Sequence, residues 1–168
     1  PYAMIKEFDE KHDVNVVQGW GMTETSPLAT ATLRTPAMDK MPKEERYKLQ
    51  TKQGKPIYGI ELKIVDDDGN RLAEDGEAFG KLLVRGPWVN KRYYKHDEDS
   101  IDADGWFDTG DISSIDPDGY MTIVDRAKDV IKSGGEWISS VDLENAAQSH
   151  PDIMQASVIG VAHPKWDE

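Results

Sequence analysis

Apolar residues change their spacing several times along this chain, and each change marks a different kind of element. Ala3, Met4, Ile5 and Phe8 recur at helical spacing, so residues 1–11 predict a short helix. Residues 14–17 are almost continuously apolar and predict a buried strand. Residues 33–54 are polar and rich in Lys, Glu and Met, with an exposed helix expected over 39–50 whose charges form a solvated face. From 56 to 94 the period falls to two. Ile60, Leu62 and Ile64 alternate with Glu61, Lys63 and Val65, and residues 81–85 supply another strand. Trp88, Tyr93 and Tyr94 are expected to pack inside this β unit.

The alternation returns at 112–115 and 120–124, on either side of Asp116-Pro117-Asp118-Gly119. Strand formers flanking a Pro/Gly turn predict a hairpin. Centred between Pro117 and Asp118, that hairpin sets Asp111 opposite Val124 and diagonal to Arg126, on one face and about 7 Å apart. A carboxylate and a guanidinium then share its open end, an arrangement suited to a polyhydroxyl, anionic ligand. The plain alternative is a surface ion pair. Asp108 and Asp125 read as turn and strand-end residues. Ser139 and Asp142 stand at capping-box spacing before a helix through about Gln148. Pro151 ends it, and 153–161 read as a strand with Ala156, Val158 and Val161 inward.

Composition narrows the partners. The net charge is −12 over 168 residues, which argues against nucleic acid and anionic membrane surfaces. Without cysteine there is no disulfide framework, thiolate metal site or cysteine nucleophile. That suits a reducing, cytoplasmic setting. No run approaches the ~18–20 apolar residues of a membrane span. Asp66 to Gly69 only superficially evokes a calcium loop, because Ile64 stands where the first ligand belongs; a hairpin turn is expected. His150 and His163 lack partners at ligand spacing and are given no role.

A second candidate site is Gln18-Gly19-Trp20-Gly21-Met22-Thr23-Glu24. Alternating glycines admit close backbone approach, Trp20 offers a flat face for a base, Thr23 a hydroxyl, and Glu24 a hard oxygen donor for Mg²⁺. The alternative is a turn with a packed Trp.

Asp108-Thr109-Gly110-Asp111, Asp125-Arg126-Ala127-Lys128-Asp129 and Gly134-Gly135 resemble motifs of the adenylate-forming (AMP-binding) superfamily. That superfamily includes acyl-CoA synthetases, adenylation domains of peptide synthetases and beetle luciferases. Gly135-Glu136-Trp137-Ile138-Ser139 looks like the fatty-acyl-CoA ligase branch, close to the medium-chain enzymes. The resemblance covers essentially the whole chain. It implies an α/β, α+β multidomain fragment: residues 1–54 end an α/β subdomain, 55–127 form a distorted β-barrel, and 128–168 begin a small mobile C-terminal α/β domain.

It also implies roles. Trp20 stacks on adenine, where the family often has Tyr. Thr23 touches phosphate, Glu24 holds Mg²⁺, and Gly19, Gly21 and Met22 line the space between acyl group and nucleotide. Asp111 binds the ribose hydroxyls and Arg126 fixes the nucleotide. Lys128 is the hinge, the alternative being an ordinary exposed Lys. Lys132 serves the second half-reaction, and Gly134 and Gly135 border a pantetheine tunnel. The implied activity is formation of an acyl-AMP from a carboxylic acid and ATP, then transfer to coenzyme A. The family's phosphate loop and late adenylating lysine do not occur in this sequence, so the fragment alone is expected to be inactive. Other readings are an amino-acid adenylation domain, a luciferase-like oxygenase and a non-catalytic AMP-binding module. Acyl chain length and oligomeric state are not legible.

Overall fold

The computed structural model describes residues 1–134, 136–148 and 150–166. Two helices, α1 (Tyr2–His12) and α2 (Lys43–Gln50), pack on each other at the start of the chain. The solvated face expected of 39–50 is only half right. Tyr47 and Arg46 are buried, and Asp9 of α1 accepts hydrogen bonds from Lys43, Arg46 and Tyr47 at 3.0, 2.8 and 2.6 Å. The Tyr47 hydroxyl, more than any other contact, holds the Asp9 carboxyl below its ordinary pKa.

Strands β1 (Gly19–Gly21), β2 (Leu28–Ala31) and β3 (Lys55–Pro56) make a small antiparallel sheet. A larger one follows in chain order: β4 (Glu61–Val65), β5 (Gly80–Arg85), β6 (Phe107–Ile115) and β7 (Met121–Arg126), each antiparallel to the next. The alternation in 60–64 and 81–85 is realised, with Leu62, Ile64, Leu82 and Val84 buried and the residues between them more exposed. These four, with Trp20, Ala29, Phe107 and Met121, form one core between the two sheets. Each such aliphatic side chain contributes roughly 1.5–3 kcal/mol on burial.

The two sheets meet at Gly54, which bridges to Met121; the Met121 N–H donates to the Gly54 carbonyl at 2.9 Å. Gly54 has φ +95°, and a Cβ there would fall 2.0 Å from the Ala31 carbonyl carbon, so no other residue fits. The barrel expected over 55–127 is not closed among the described residues. β4 is an edge of the larger sheet, and the far edge, β7, is extended only by the short bridge at Gly54. The turn at 66–70 is the expected hairpin turn, with Asp66 Oδ1 accepting the Asp68 and Asn70 N–H groups.

Beyond β7 lie a short pair, β8 (Ile131–Ser133) and β9 (Glu136–Ile138), and helix α3 (Ser140–Gln148). Ser139 caps α3 as expected, its Oγ accepting the Asp142 N–H at 3.1 Å. Two expected strands do not form. Residues 13–18 and 153–161 carry no ladder, and Val14, Val17, Ile159 and Val161 are exposed. An apolar run becomes a strand only beside another strand, and neither run has a pairing neighbour among the described residues.

Candidate functional site: a wired carboxylate and a tyrosine-held glutamate

The hairpin β6–β7 positions the first constellation. Its turn is one residue longer than expected: Gly119, at φ +82°, donates its N–H to the Asp116 carbonyl, and Asp116 Oδ1 accepts from Asp118 and Tyr120. A type I turn closed by a left-handed glycine makes such a three-residue loop. A bulge between Ile112 and Ser113 shifts the register again. Asp111 therefore lies directly opposite Arg126, where a diagonal was expected. The juxtaposition survives because the two one-residue shifts add to two and return both side chains to one face.

Arg126 Nη1 reaches Asp111 Oδ1 at 3.0 Å, and Trp20 Nε1 donates to Asp111 Oδ2 at 3.0 Å. Both carboxylate oxygens are thus engaged. The Asp111 side chain is 5% exposed and that of Arg126 54%, so this is no ordinary surface pair. Burial pushes the Asp111 carboxyl above the usual carboxylate range, with Arg126 and the indole N–H only partly offsetting it. Thr109 steadies the strand: its hydroxyl donates to the Leu82 carbonyl and accepts the Asp111 N–H. Asp108, expected in a turn, lies instead in β6 opposite Leu83, and its Oδ1 accepts the Gly110 N–H.

Trp20 is 9% exposed and packs in the core, so its polar edge, rather than an open face, meets Asp111. Gly19 and Gly21 flank it in β1, paired with Ala31 and Leu28. Met22 packs partly buried against the same core. Thr23 and Glu24 open a single turn of 3₁₀ helix (Thr23–Thr25), with Thr23 exposed and Glu24 half-buried.

Glu24 carries a contact that the sequence did not disclose. The Tyr93 hydroxyl donates to Glu24 Oε1 at 2.6 Å, and the Asn90 N–H to the Glu24 carbonyl at 2.7 Å. The packing expected of Tyr93 and Tyr94 is therefore wrong; they are 42% and 88% exposed, and only Trp88 packs on the core. The signal available was two aromatics in a stretch without alternation. Thr23, Glu24, Lys91, Arg92 and Tyr93 line one cavity of about 620 Å³. A larger apolar cavity of about 670 Å³, lined by Leu33, Met38, Ile57 and Tyr58 among others, contains none of the expected site residues.

Lys128 lies in an exposed turn two residues past Arg126, its side chain 82% exposed. Lys132 sits in β8, where its Nζ meets Asp67 of the β4–β5 turn at 3.1 Å. Gly134 donates its N–H to the Trp166 carbonyl at 2.9 Å. Gly135 lies outside the described residues. Asp125 stands near the end of β7 as expected, and it is also buried and accepts from the Ser140 N–H and hydroxyl at 2.8 and 2.6 Å, fastening α3 to β7.

A family described as AMP-binding enzyme matches residues 1–94. Among curated relatives, the 3-methylmercaptopropionyl-CoA ligase of Ruegeria lacuscaerulensis is 56% identical over 168 residues, all of this chain and 31% of the relative. The medium-chain-fatty-acid–CoA ligase of Ectopseudomonas oleovorans is 52% identical, again over the whole chain and 31% of the relative. Among solved structures, o-succinylbenzoate CoA synthetase from Bacillus subtilis with its acyl-adenylate OSB-AMP superposes with TM-score 0.80 and 32% identity, covering 99% of this chain and 32% of that one. ATP-bound MatB from Rhodopseudomonas palustris gives TM-score 0.79 at 26% identity, covering 99% and 31%. The chain thus spans about a third of the length of these relatives.

Proposed function

The chain belongs to the AMP-binding enzyme family, and on that premise we propose that the protein carrying it is an ATP-dependent acyl-CoA ligase. The observation that carries the reading is Asp111, a buried carboxylate held at one oxygen by Trp20 and at the other by Arg126. A pre-oriented acceptor beside a fixed guanidinium suits the vicinal hydroxyls of a ribose and the charge of its phosphate. Trp20 forms a wall of the base site, and Gly19, Gly21 and Met22 border the passage between nucleotide and acyl group. Thr23 meets phosphate.

The donor set fits Mg²⁺. That ion is held by one or two carboxylates with substrate phosphates completing its shell, and Glu24 is one half-buried carboxylate beside a hydroxyl. Among the described residues there is no three-carboxylate or histidine cluster that would favour a resident metal. Bound at Glu24, Mg²⁺ supplies charge neutralisation for the phosphates.

In the reaction, a substrate carboxylate oxygen bonds to the α-phosphorus of ATP as the bond to pyrophosphate breaks. The coenzyme A sulfur then bonds to the acyl carbon as the bond to AMP breaks. Neither step uses a protein nucleophile; positioning and electrostatics supply the catalysis. Lys128 serves as the pivot between steps, Lys132 serves the second, and Gly134 and Gly135 border the pantetheine path. The subdivision at 54–55 and 127–128, with residues 55–127 as part of a barrel subdomain, belongs to the same proposal. The relatives' names point to fatty acids of medium length and methylthio-substituted acids as the substrate class.

The test is pyrophosphate release and thioester formation by the full protein with ATP, Mg²⁺, coenzyme A and a panel of such acids set against amino acids. Turnover with the acids is expected. Asp111→Ala is expected to weaken nucleotide affinity about 10- to 100-fold, the equivalent of losing hydrogen bonds to a charged group. Turnover with amino acids alone would move the protein to the adenylation-domain class. An unaltered affinity in Asp111→Ala would remove the basis of the proposal.

A further inference from the structure

The loop after β5 is built rather than loose. A turn closes from Val89 N–H to the Gly86 carbonyl, Trp88 packs against the core, and the Ser100 N–H donates to the Lys91 carbonyl at 2.7 Å. Asp99 draws in Arg92 at 2.6 Å and Lys91 at 3.4 Å. From this fixed loop two groups reach Glu24: the Asn90 N–H to its carbonyl and the Tyr93 hydroxyl to its side chain. Glu24 itself makes no ion pair with a described residue, and Lys91 and Arg92, which line the same cavity, pair with Asp99. Its charge is therefore left for something that arrives.

We propose that Tyr93 is a positioning residue for Glu24: its phenol ties down Oε1 so that the carboxylate meets a divalent cation, bound together with nucleotide phosphates, in a single pre-set orientation. The inference rests on the reading of Glu24 given above. A neutral donor is the fitting partner for this task. A Lys or Arg in its place would cancel the charge the cation needs, whereas a phenol fixes direction and leaves that charge intact. Outer-shell hydrogen bonds of this kind change metal affinity about 10- to 100-fold when removed. Tyr93 is 42% exposed, and its ring rests on His96 at 5.8 Å between centroids, so deleting the hydroxyl alone leaves the loop's packing in place.

The experiment compares wild type, Tyr93→Phe and Glu24→Gln in the full protein. Mn²⁺ binding is followed by electron paramagnetic resonance with a non-hydrolysable ATP analogue, and metal-free AMP affinity by calorimetry. Tyr93→Phe is expected to weaken Mn²⁺ binding about 10-fold and to raise the Mg²⁺ requirement for turnover in parallel, with AMP affinity unchanged. Glu24→Gln is expected to weaken Mn²⁺ binding further. If Glu24→Gln lowers it and Tyr93→Phe does not, the role of Tyr93 is overturned while Glu24 keeps its own. If neither variant affects Mn²⁺, the reading of Glu24 falls and takes this inference with it. Equal losses of Mn²⁺ and AMP affinity in Tyr93→Phe would mean that the hydroxyl merely holds the loop, which also overturns the proposal.

Discussion

Asp111 concentrates the residue-scale physics. Its carboxyl is raised in pKa by burial, with Arg126 and Trp20 offsetting only part of the shift. The folded state thus retains a proton that the unfolded state has already released. Stability is highest below the ordinary carboxylate pKa and falls as pH rises through the window from there to the raised value. Asp111→Asn is expected to abolish that slope and to leave the protein more stable than wild type at neutral pH, while nucleotide affinity drops. Urea denaturation of both proteins, followed from about pH 3, below the ordinary carboxylate pKa, up to neutrality, measures it. A wild-type curve parallel to that of the variant would refute the account. The sequence disclosed Asp111 and Arg126 through their place at the hairpin's open end. It did not disclose Trp20 as the second hand on Asp111, because that contact joins residues 91 positions apart. Tyr93 escaped for the same reason: its partner, Glu24, lies 69 positions away.

Among elements, the strands with clean alternation were legible and the solitary apolar runs were not. Period-two burial in β4 and β5 follows from the sequence because each strand's partner is a hairpin away. The register of β6–β7 was legible only approximately. A left-handed Gly119 and a bulge at Ile112/Ser113 each shift the pairing, and neither has a signature in hydropathy. Asp125 shows what such a shift does: placed opposite Ile112 and buried, it caps α3. Asp125→Ala would strand the Ser140 N–H and hydroxyl, weakening the docking of α3 by about 1–3 kcal/mol. Hydrogen exchange is expected to accelerate in residues 140–148 while β5 and β6 stay protected. Uniform acceleration would mean instead that α3 and the sheet open together.

For the molecule as a whole, the junction at Gly54 decides cooperativity. It carries backbone hydrogen bonding from the small sheet to β7, and the core lies between the two sheets. Gly54→Ala requires φ +95° of an alanine and drives its Cβ into residue 31. The expected loss is about 2–4 kcal/mol. Near-ultraviolet circular dichroism and urea midpoints would show both sheets destabilised together; a biphasic transition would mean that they fold independently. The barrel expectation stood or fell at this scale. Alternation indicates which face of a strand is buried, but not whether the first strand closes on the last.

The indole of Trp20 donates to the very carboxylate assigned to the sugar. Its emission is therefore sensitive to that carboxylate, and a ribose bound there as proposed is expected to alter the light it gives off. The proposed nucleotide site would thus carry its own unlabelled optical probe.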